Sequence, residues 1–286
     1  MDGVTALAAV GRYLRCPVCT AEVTLDGGQL RCDLGHSFDV ARQGYVNLTG
    51  GRRGPGTADS AEMVAARERF LGRGHYQPLA DRLRSVASGL PSEGPAAKGL
   101  VVDLAGGTGY YLAAVLDGLP GRYGLCVDLS VPALRRAARA HPRAAAIAAD
   151  VWKDLPLATG SAGLVLSVFG PRNPDEIRRI LAPGGALLIV TPAPGHLSEL
   201  REPVGMIGVD ERKPERLAES FGGYVRADAG DVMVKMCLDH AEAGAVVMMG
   251  PSAHHVSAGQ LADRLRALPD PVSVTAELRV QLYLNV

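Results

Sequence analysis

The sequence predicts an α/β protein in which a parallel sheet carries helices on both faces and follows a small N-terminal β module. One observation predicts the large domain. Apolar runs of five or six residues alternate with helical runs from Leu100 to Thr191, and this repetition of strand and helix is typical of a parallel sheet. The strand-like runs are 100–104, 123–127, 144–148, 164–169 and 186–191, and the helical runs are 110–119, 132–140 and 174–182.

A second observation concerns the first 48 residues, which show little helical periodicity and contain brief segments in which apolar and polar residues alternate. Residues 22–25 and 29–31 flank Asp26-Gly27-Gly28, and a glycine pair between two alternating segments is typical of a β-hairpin. Residues 50–56 consist of glycine, arginine and proline and have no apolar face to bury. We therefore expect a module over residues 1–56, with a flexible linker at its end, and a separate domain over residues 57–286.

Helices and a final pair of strands are predicted in the rest of the large domain. Asp59, Ser60 and Glu62 precede an apolar pattern over residues 63–71, and this is an N-cap signal for an amphipathic helix. A second helix is expected after Pro78. Residues 272–275 and 278–284 alternate, so we expect a pair of terminal strands there.

Composition and charge limit the class of protein. Hydrophobic residues make up 47% of the 286 residues and aromatic residues only 5%, so the core is expected to consist mainly of Ala, Val and Leu. The 30 basic and 30 acidic side chains balance, which restricts any nucleic-acid contact to local patches. No segment approaches the roughly 18 consecutive apolar residues of a membrane span, and no basic stretch leads into an apolar run at the N-terminus. We expect a cytoplasmic protein with no membrane partner.

Four residues with metal-binding side chains form two close pairs near the N-terminus. Cys16-Pro-Val-Cys19 is followed after twelve residues by Cys32-Asp-Leu-Gly-His36, and the predicted hairpin can bring the pairs together. This set and spacing are typical of a closed tetrahedral zinc site, in which no open position remains for catalysis. The alternative is that Cys16 and Cys19 form a redox dithiol and that Cys32 and His36 have no part in it. No thioredoxin-like unit surrounds Cys16 and Cys19, however.

A glycine-rich turn follows the first predicted strand of the large domain. Val101-Val-Asp-Leu-Ala-Gly-Gly-Thr-Gly109 leads from the strand into a helical run. Backbone without side chains lets a ligand approach closely, and the N-terminus of the helix supplies free N–H groups. A dinucleotide fingerprint needs another glycine where Leu112 stands, so a nicotinamide or flavin nucleotide is disfavoured. Asp103 at the strand end would repel a pyrophosphate and suits a cationic ligand.

Acidic residues end two more predicted strands. The second strand ends at Asp128, whose carboxylate can accept hydrogen bonds from both hydroxyls of a ribose. The third ends at Asp150, whose carboxylate can accept a hydrogen bond from an adenine amino group. Taken singly, each acid is more often a cap or turn residue. Three acids at successive strand ends around one glycine turn together indicate a nucleoside site without phosphates.

This ordered set resembles the class I S-adenosylmethionine-dependent methyltransferases, in which a D-x-G-x-G-x-G turn, a ribose-binding acid and an adenine-contacting acid follow one another. The resemblance covers residues 100–191 and implies a Rossmann-like methyltransferase sheet with S-adenosylmethionine as cofactor. Ala105 stands where the first glycine is usual, so we expect a slightly shifted turn that still binds. The resemblance implies a cofactor site that includes Asp103, Gly109, Asp128 and Asp150.

Three blocks of sequence extend the comparison to nearly the whole chain. They are the zinc-ligand pairs with Gly44-Tyr-Val-Asn-Leu48; Asp59-Ser-Ala-Glu-Met63 with Ala66-Arg67, Phe70-Leu71 and Gly74-His-Tyr-Gln-Pro-Leu79; and Asp103 to Tyr111. Together they resemble the bacterial methyltransferases that modify N1 of a guanine in 23S ribosomal RNA, including the tylosin-resistance type.

That narrower resemblance implies site residues, substrate and partners. It implies that Tyr76, Gly107, Thr108 and His196 contact the cofactor, and that Cys16, Cys19, Cys32 and His36 bind zinc. It also implies that the module over residues 1–56 helps to hold RNA while residues 57–286 form the catalytic domain. The expected substrate is a guanine in a 23S rRNA hairpin loop, and the resemblance implies a homodimer. The cellular role stays open between a housekeeping modification and macrolide resistance of the tylosin type.

Some residues keep two interpretations when the sequence is considered alone. Tyr76 either stacks over the adenosine or thioether end of the cofactor or is an ordinary aromatic residue at a helix start. His196 either contacts the cofactor or caps a helix. A local excess of basic residues either holds RNA phosphates or forms a solvated surface. These basic residues are Arg52, Arg53, Arg67, Arg69 and Arg73.

Methylation of guanine N1 needs a base, because this nitrogen carries a proton in the neutral nucleobase. The candidate places are the loop Phe169-Gly-Pro-Arg-Asn173 and the pair His254 and His255, and Arg172 can instead stabilise an anionic guanine. A base inside RNA must leave its stack to be methylated, which favours a loop.

Two rival functions stay open. A methyltransferase acting on a small metabolite, with the zinc module as a lid, would have no affinity for RNA. A cofactor-sensing or structural zinc protein would bind S-adenosylmethionine without turnover.

Overall fold

The computed structural model describes residues 2–51, 58–206, 208 and 219–285 of the chain. The strands in these ranges are β1 (Val23–Asp26), β2 (Gln29–Cys32), β3 (Ser37–Asp39), β4 (Tyr45–Asn47), β5 (Leu100–Leu104), β6 (Gly124–Asp128), β7 (Ala144–Ala148), β8 (Ala162–Val168), β9 (Leu181–Pro192), β10 (Val225–Asp228), β11 (Val232–Leu238) and β12 (Val272–Leu284). The helices in the same ranges are α1 (Asp2–Gly11), α2 (Ala61–Gly72), α3 (Gln77–Ser88), α4 (Pro95–Lys98), α5 (Tyr110–Asp117), α6 (Val131–Ala137), α7 (Pro174–Ile180), α8 (Ser198–Val204), α9 (His240–Met248) and α10 (Ala258–Leu265), with a 3₁₀ turn at Pro251–His254.

Nine of the described strands form one sheet in the order β10-β12-β9-β8-β5-β6-β7-β4, with β11 also paired to β12. The neighbours from β4 to β9 are parallel, whereas β12 runs antiparallel to β9. Counted from β5, the central strands follow the order 3-2-1-4-5-7-6, with the seventh strand antiparallel. This is the sheet of the class I methyltransferases, and the predicted Rossmann-like fold is confirmed.

The central strands explain why their sequences are apolar without alternation. Every residue of β7 and β8 is buried, because helices cover both faces of the parallel sheet. The prediction for β5 matches its observed bounds, and the predicted run 186–191 lies inside a longer strand, β9. The carboxyl ends of β5, β6 and β7 meet at one edge, where the three predicted acids therefore gather.

The N-terminal segment contributes a helix and a strand to this central core. The expectation that residues 1–48 lack a helix is wrong, because α1 buries Leu7 and Val10 against one face of the sheet. Strand β4 pairs in parallel with β7 and places Val46 opposite Ile147. Both elements precede residue 56, so packing is continuous across the predicted boundary. The division of function between residues 1–56 and 57–286 stays a prediction.

A separate three-stranded sheet, β1-β2-β3, forms the rest of the N-terminal segment. The predicted hairpin is confirmed, since Asp26 pairs with Gln29 around a two-residue turn. Gly27 and Gly28 have φ angles of +53° and +84°, and a two-residue hairpin turn of the primed type requires positive φ at both positions. The glycine pair therefore determines the register of this hairpin.

Two further predictions have different outcomes. The N-cap before α2 is confirmed, because the Ser60 hydroxyl accepts a hydrogen bond from the Met63 N–H at 3.2 Å. The pair of strands expected over residues 272–284 is wrong. These residues form one strand, β12, which pairs with β9 on one side and with β10 and β11 on the other.

The predicted linker lies mostly outside the described residues, and so do Arg52 and Arg53. In the part of the chain that the structure describes, no helix has both the length and the apolar character needed to cross a membrane.

Candidate zinc centre and cofactor site

The four predicted zinc ligands converge at the N-terminal sheet. The Sγ atoms of Cys16, Cys19 and Cys32 and a ring nitrogen of His36 all lie within 4.8 Å of one another. Each pair is held by a tight backbone turn. The Thr20 N–H donates to the Cys16 carbonyl at 2.8 Å, and the Cys32 N–H donates to the His36 carbonyl at 3.1 Å. The hairpin between the pairs brings the two turns together, as the spacing predicts.

The distances between the ligand atoms fit a metal and do not fit a disulfide. Cys19 Sγ lies 3.7 Å from Cys32 Sγ, and His36 Nδ1 lies 3.6 Å from Cys16 Sγ and 3.3 Å from Cys32 Sγ. Tetrahedral zinc with Zn–S bonds of ~2.3 Å and a Zn–N bond of ~2.05 Å gives corresponding separations of ~3.8 and ~3.6 Å, whereas a disulfide bond is ~2.05 Å long. A redox dithiol with two incidental neighbours does not account for four ligands that meet at these distances.

The glycine turn after β5 brings the backbone close to the end of β6. The N–H of Gly107 donates to Oδ2 of Asp128 at 2.9 Å, and the N–H of Ser130 donates to Oδ1 at 2.8 Å. Gly106 fits only without a side chain, because a Cβ there would lie 2.7 Å from the Asp103 carboxylate. The turn therefore holds the Asp128 carboxylate in one orientation beside bare backbone.

Ala105 has a φ of +53°, in the left-handed region that favours glycine. This conformation explains why the methyltransferase pattern usually has glycine here. A methyl group is tolerated in this region at a cost of about 1 kcal/mol, so the turn accommodates Ala105, and the slight shift expected for the turn stays a prediction.

Asp103 lies beneath the turn in an apolar environment. It is 1% exposed, and neither of its carboxylate oxygens has a hydrogen-bond partner among the described residues. Burial, together with the nearby charge of Asp128, raises the pKa of Asp103 to about 8. A buried acid without a partner is costly, and a cation arriving above the turn would stabilise its ionised form.

A cluster of rings lies beside this turn. The Phe169 ring, directly after β8, has its centroid 6.3 Å from that of Tyr76, 6.4 Å from that of Tyr111 and 6.3 Å from that of His196. Tyr76 is buried, and burial raises the pKa of its hydroxyl above the usual value. The structure thus brings two predicted cofactor residues, Tyr76 and His196, to the same place.

His196 is neutral at physiological pH. Burial lowers the pKa of its ring to about 4, even though a backbone hydrogen bond acts in the opposite direction. Its Nδ1 atom is buried and has no partner among the described residues. Leu197, and not His196, is the N-cap residue of α8, so the helix-cap interpretation of His196 is wrong.

Two other predicted residues have structural tasks. The Asp150 carboxylate accepts the Trp152 N–H at 3.0 Å and closes the turn after β7. Gly109 has a φ of +78°, and a Cβ there would lie 3.0 Å from the Cβ of Ala140 in the chain after α6. The absence of a side chain at Gly109 is therefore explained by close packing. Thr108 is half-buried between Gly107 and Gly109.

Arg67 belongs to the cofactor edge and not to an open basic surface. Its guanidinium forms an ion pair with Asp59 at 2.5 Å and donates to the Met249 carbonyl at 2.7 Å. A Cβ on Gly107 would lie 2.8 Å from its Nη1 atom. The interpretation of Arg67 as a phosphate contact therefore does not fit, whereas Arg73 is largely exposed beside Glu242 at 3.6 Å.

The structure describes the surroundings of some of the candidate base and guanine-binding residues. The Arg172 guanidinium donates to the Gly170 carbonyl at 2.9 Å, and its charge acts on the Tyr283 hydroxyl in the opposite face of the core. His255 is exposed, and the side chain of His254 lies outside what the structure describes.

Comparison with known proteins addresses both sites. The family model for the RlmA N-terminal zinc ribbon matches residues 14–49. A protein of Streptomyces fradiae, named 23S rRNA (guanine(748)-N(1))-methyltransferase, is 49% identical over 269 residues, which are 93% of this chain and 94% of that protein. The chain belongs to the 23S rRNA (guanine-N1)-methyltransferase family.

Other similar proteins support the family assignment to different degrees. A relative from Micromonospora griseorubida, provisionally named as a 23S rRNA (guanine-N(1)-)-methyltransferase, is 46% identical over 286 residues, 95% of this chain and 97% of that protein. The solved YcgJ protein of Bacillus subtilis covers 66% of this chain and 92% of that one, with 13% identity and a TM-score of 0.47. The sequence relatives, and not this distant likeness, carry the assignment.

Membership in this rRNA methyltransferase family confirms the two predicted cofactors, zinc and S-adenosylmethionine. The described residues fit both. Four soft ligands at tetrahedral spacing suit Zn²⁺, and an unpartnered buried carboxylate at Asp103 beside the acceptor Asp128 suits a cationic nucleoside. Sequence reasoning missed that Arg67 contacts the turn and that Tyr111 joins the ring cluster. Both residues belong to the quoted sequence blocks, where Arg67 was assigned to RNA phosphates and Tyr111 had no assigned role.

Proposed function

We propose that this chain transfers the methyl group of S-adenosylmethionine to N1 of a guanine in a 23S rRNA hairpin loop. The observation that supports this proposal most strongly is the 49% identity to the Streptomyces fradiae enzyme over 93% of this chain. The similarity extends over more of the chain than residues 57–286, the expected catalytic unit, so it includes part of the zinc-binding segment. A small-metabolite methyltransferase would share the catalytic unit and would have no reason to share the zinc ribbon.

The proposed cofactor site lies across the carboxyl ends of β5, β6 and β7. Asp128 would accept the ribose hydroxyls, and Asp150 would receive the adenine amino group. The backbone of Gly107, Thr108 and Gly109 would border the cofactor, and Asp103 would stabilise its positive charge from below the turn. When bound, the cofactor supplies a methyl group on a cationic sulfur. The attacking nitrogen would take this methyl group by in-line displacement of the sulfur.

Tyr76 and His196 would form the wall of the cofactor site on the side of the ring cluster. The neutral His196 ring can offer its unpartnered Nδ1 to a polar group of the cofactor. A pKa of about 4 makes this ring a weak base. We therefore assign His196 to cofactor contact and not to removal of the guanine N1 proton.

The zinc ribbon would have a structural role in the enzyme and would contact RNA. With four protein ligands the metal has no open position, so its role is structural. The two zinc turns carry exposed apolar residues, Val18 at 57% and Leu34 at 70% exposure. Exposed apolar tips of this kind suit contact with the bases of an RNA loop, and the sequence supplies charge for its phosphates at Arg52 and Arg53.

A direct assay tests the proposed activity. The purified holoprotein would be incubated with labelled S-adenosylmethionine and separated pools of 23S rRNA, tRNA and small metabolites. We expect label in 23S rRNA and a primer-extension stop at the modified guanine, because a methyl group on N1 blocks Watson–Crick pairing. Label confined to the metabolite pool, or cofactor binding without any transfer, would contradict the proposal.

The remaining parts of the proposal concern cellular role and assembly. We propose that the enzyme works in the cytoplasm, where its ribosomal substrate is found, that it forms a homodimer and that it can confer resistance to tylosin-type macrolides. Sedimentation equilibrium tests the dimer. The minimum inhibitory tylosin concentration, with and without expression of the chain in a sensitive strain, tests the resistance.

A further inference from the structure

Phe169 has an unusual backbone conformation for a large side chain. It follows β8 directly and has a φ of +58°. Bulky residues rarely adopt this left-handed conformation, and strain of this kind concentrates at functional sites. The conformation fixes the direction in which the ring leaves the end of the strand.

The neighbouring residue places this ring beside the cofactor turn. A Cβ on Gly170 would lie 3.0 Å from the Cβ of Ala105 and 3.1 Å from the Leu104 carbonyl oxygen. The loop after β8 therefore packs directly on the first residues of the glycine turn. Phe169 therefore leaves β8 beside the glycine turn that borders the proposed cofactor site.

The Phe169 ring is incompletely covered by its neighbours. Its interplanar angles to Tyr76, Tyr111 and His196 are 44°, 67° and 33°, so none of the three rings lies parallel to it. The residue keeps 38% of its surface exposed, whereas Tyr76 behind it is 1% exposed. An aromatic side chain with a buried support and an open side is suited to stacking on a flat ligand.

We propose that Phe169 is the platform on which the target guanine stacks after it leaves the RNA. The inference rests on the proposed function and adds the residue that receives the base. Enzymes that modify a base inside RNA must unstack it, and aromatic side chains replace the lost stacking. The stack would hold the guanine plane with N1 toward the proposed cofactor site at the glycine turn, and the strained backbone keeps the ring in place before RNA binds.

The test compares three substitutions of Phe169 in the full-length zinc-loaded protein. Phe169→Leu keeps an apolar side chain without a ring, Phe169→Tyr keeps a ring, and Phe169→Gly relieves the left-handed backbone. We expect Phe169→Leu and Phe169→Gly to lower kcat/KM for methylation of a 23S rRNA hairpin by roughly 5- to 150-fold, the range that stacking of one base gives. Phe169→Tyr should recover most of this loss. Thermal melting should show Phe169→Gly at least as stable as Phe169→Leu.

Phe221→Leu is the matched control, because Phe221 is buried on the opposite face of the core. It should lower the melting temperature without a comparable loss of methylation. Calorimetry should give S-adenosylmethionine affinities for the Phe169 variants within about twofold of wild type, since the ring is assigned to the guanine. Unchanged kcat/KM in Phe169→Leu, or a parallel loss of cofactor affinity, overturns the inference alone. A wild-type protein that methylates no 23S rRNA overturns the proposed function, and the inference with it.

Discussion

The N–H of Gly107 donates a hydrogen bond to Oδ2 of Asp128 at 2.9 Å. This bond joins the glycine turn after β5 to the end of β6, and the Ser130 N–H holds the second carboxylate oxygen. Each oxygen keeps a further lone pair for another donor. The acceptor proposed for the ribose is therefore oriented before the cofactor arrives.

The first prediction concerns this carboxylate. Asp128→Ala should weaken S-adenosylmethionine binding by roughly 1.5 to 3 kcal/mol, or about 10- to 150-fold, through loss of two charge-assisted hydrogen bonds. Isothermal titration calorimetry measures the change, and circular dichroism checks the fold. The control is Asp263→Ala, a carboxylate that is 70% exposed on α10. Equal affinity of the folded Asp128→Ala protein and wild type would show that the ribose acceptor lies elsewhere.

The second prediction concerns pH. Burial and the charge of Asp128 raise the pKa of Asp103 to about 8, above the value of ~3.9 in an unfolded chain. The folded state then binds more protons than the unfolded state between these values, so this contribution to stability is full below pH ~4 and is lost as the pH rises through about 8. Asp103→Asn stays neutral, and it should melt at a higher temperature than wild type at pH 8.

Thermal melting of the cofactor-free protein at pH 6, 7, 8 and 9 tests this expectation. The difference in melting temperature between Asp103→Asn and wild type should grow up to pH 8 and then level off. Asp263→Asn, an exposed control, should give no such trend. A constant difference across the series would mean that Asp103 titrates near its ordinary pKa.

The third prediction concerns zinc. Cys32→Ser should release the metal, because it removes one of four ligands, whereas Cys237→Ser should retain it, because Cys237 is exposed and lies outside the cluster. Elemental analysis gives the stoichiometry. Hydrogen exchange should rise in β1-β2-β3 after metal loss, while α1, whose Leu7 and Val10 are buried against the central sheet, stays protected. Folded wild-type protein without stoichiometric metal would contradict the assignment.

The fourth prediction concerns RNA binding by the linker arginines. Changing Arg52 and Arg53 together to Ala should weaken binding of a 23S rRNA hairpin and reduce the salt dependence by about one phosphate contact per arginine. Cofactor affinity should stay the same. The control is Arg266→Ala, which changes an exposed arginine at the C-terminal end of α10. Filter binding at several salt concentrations measures the slope, and an unchanged slope in the double variant would place the phosphate contacts elsewhere.

Deletion of residues 1–56 is a poor test of the same idea, although the sequence suggests it. The deletion would remove β4 from the edge of β7 and uncover the apolar residues that α1 protects. Loss of RNA binding in such a protein would follow from damage to the central core as readily as from loss of a contact. Point substitutions in the linker avoid that problem.

Local patterns in the sequence were enough to predict several parts of this protein. The zinc ligands, the hairpin at Gly27 and Gly28 and the turn at Gly107 were predicted because each depends on neighbours within a few dozen residues and on the chemistry of single residue types. The alternation of buried strands and helices predicted the sheet for the same reason, since burial on both faces makes each strand a continuous apolar run.

Contacts between distant segments decided the rest. Strand β4 pairs with β7, about a hundred residues away, and Arg67 reaches Met249 across a separation of 182 residues. No short-range period records such partners, so the pairing of β4 with β7 was missed and Arg67 was assigned to a phosphate surface. The single strand β12 likewise depends on neighbours at both of its edges. The sequence by itself determined the chemistry of the two sites, and the tertiary structure decided which side chains share them, because sheet pairing and burial bring together residues that the chain keeps far apart.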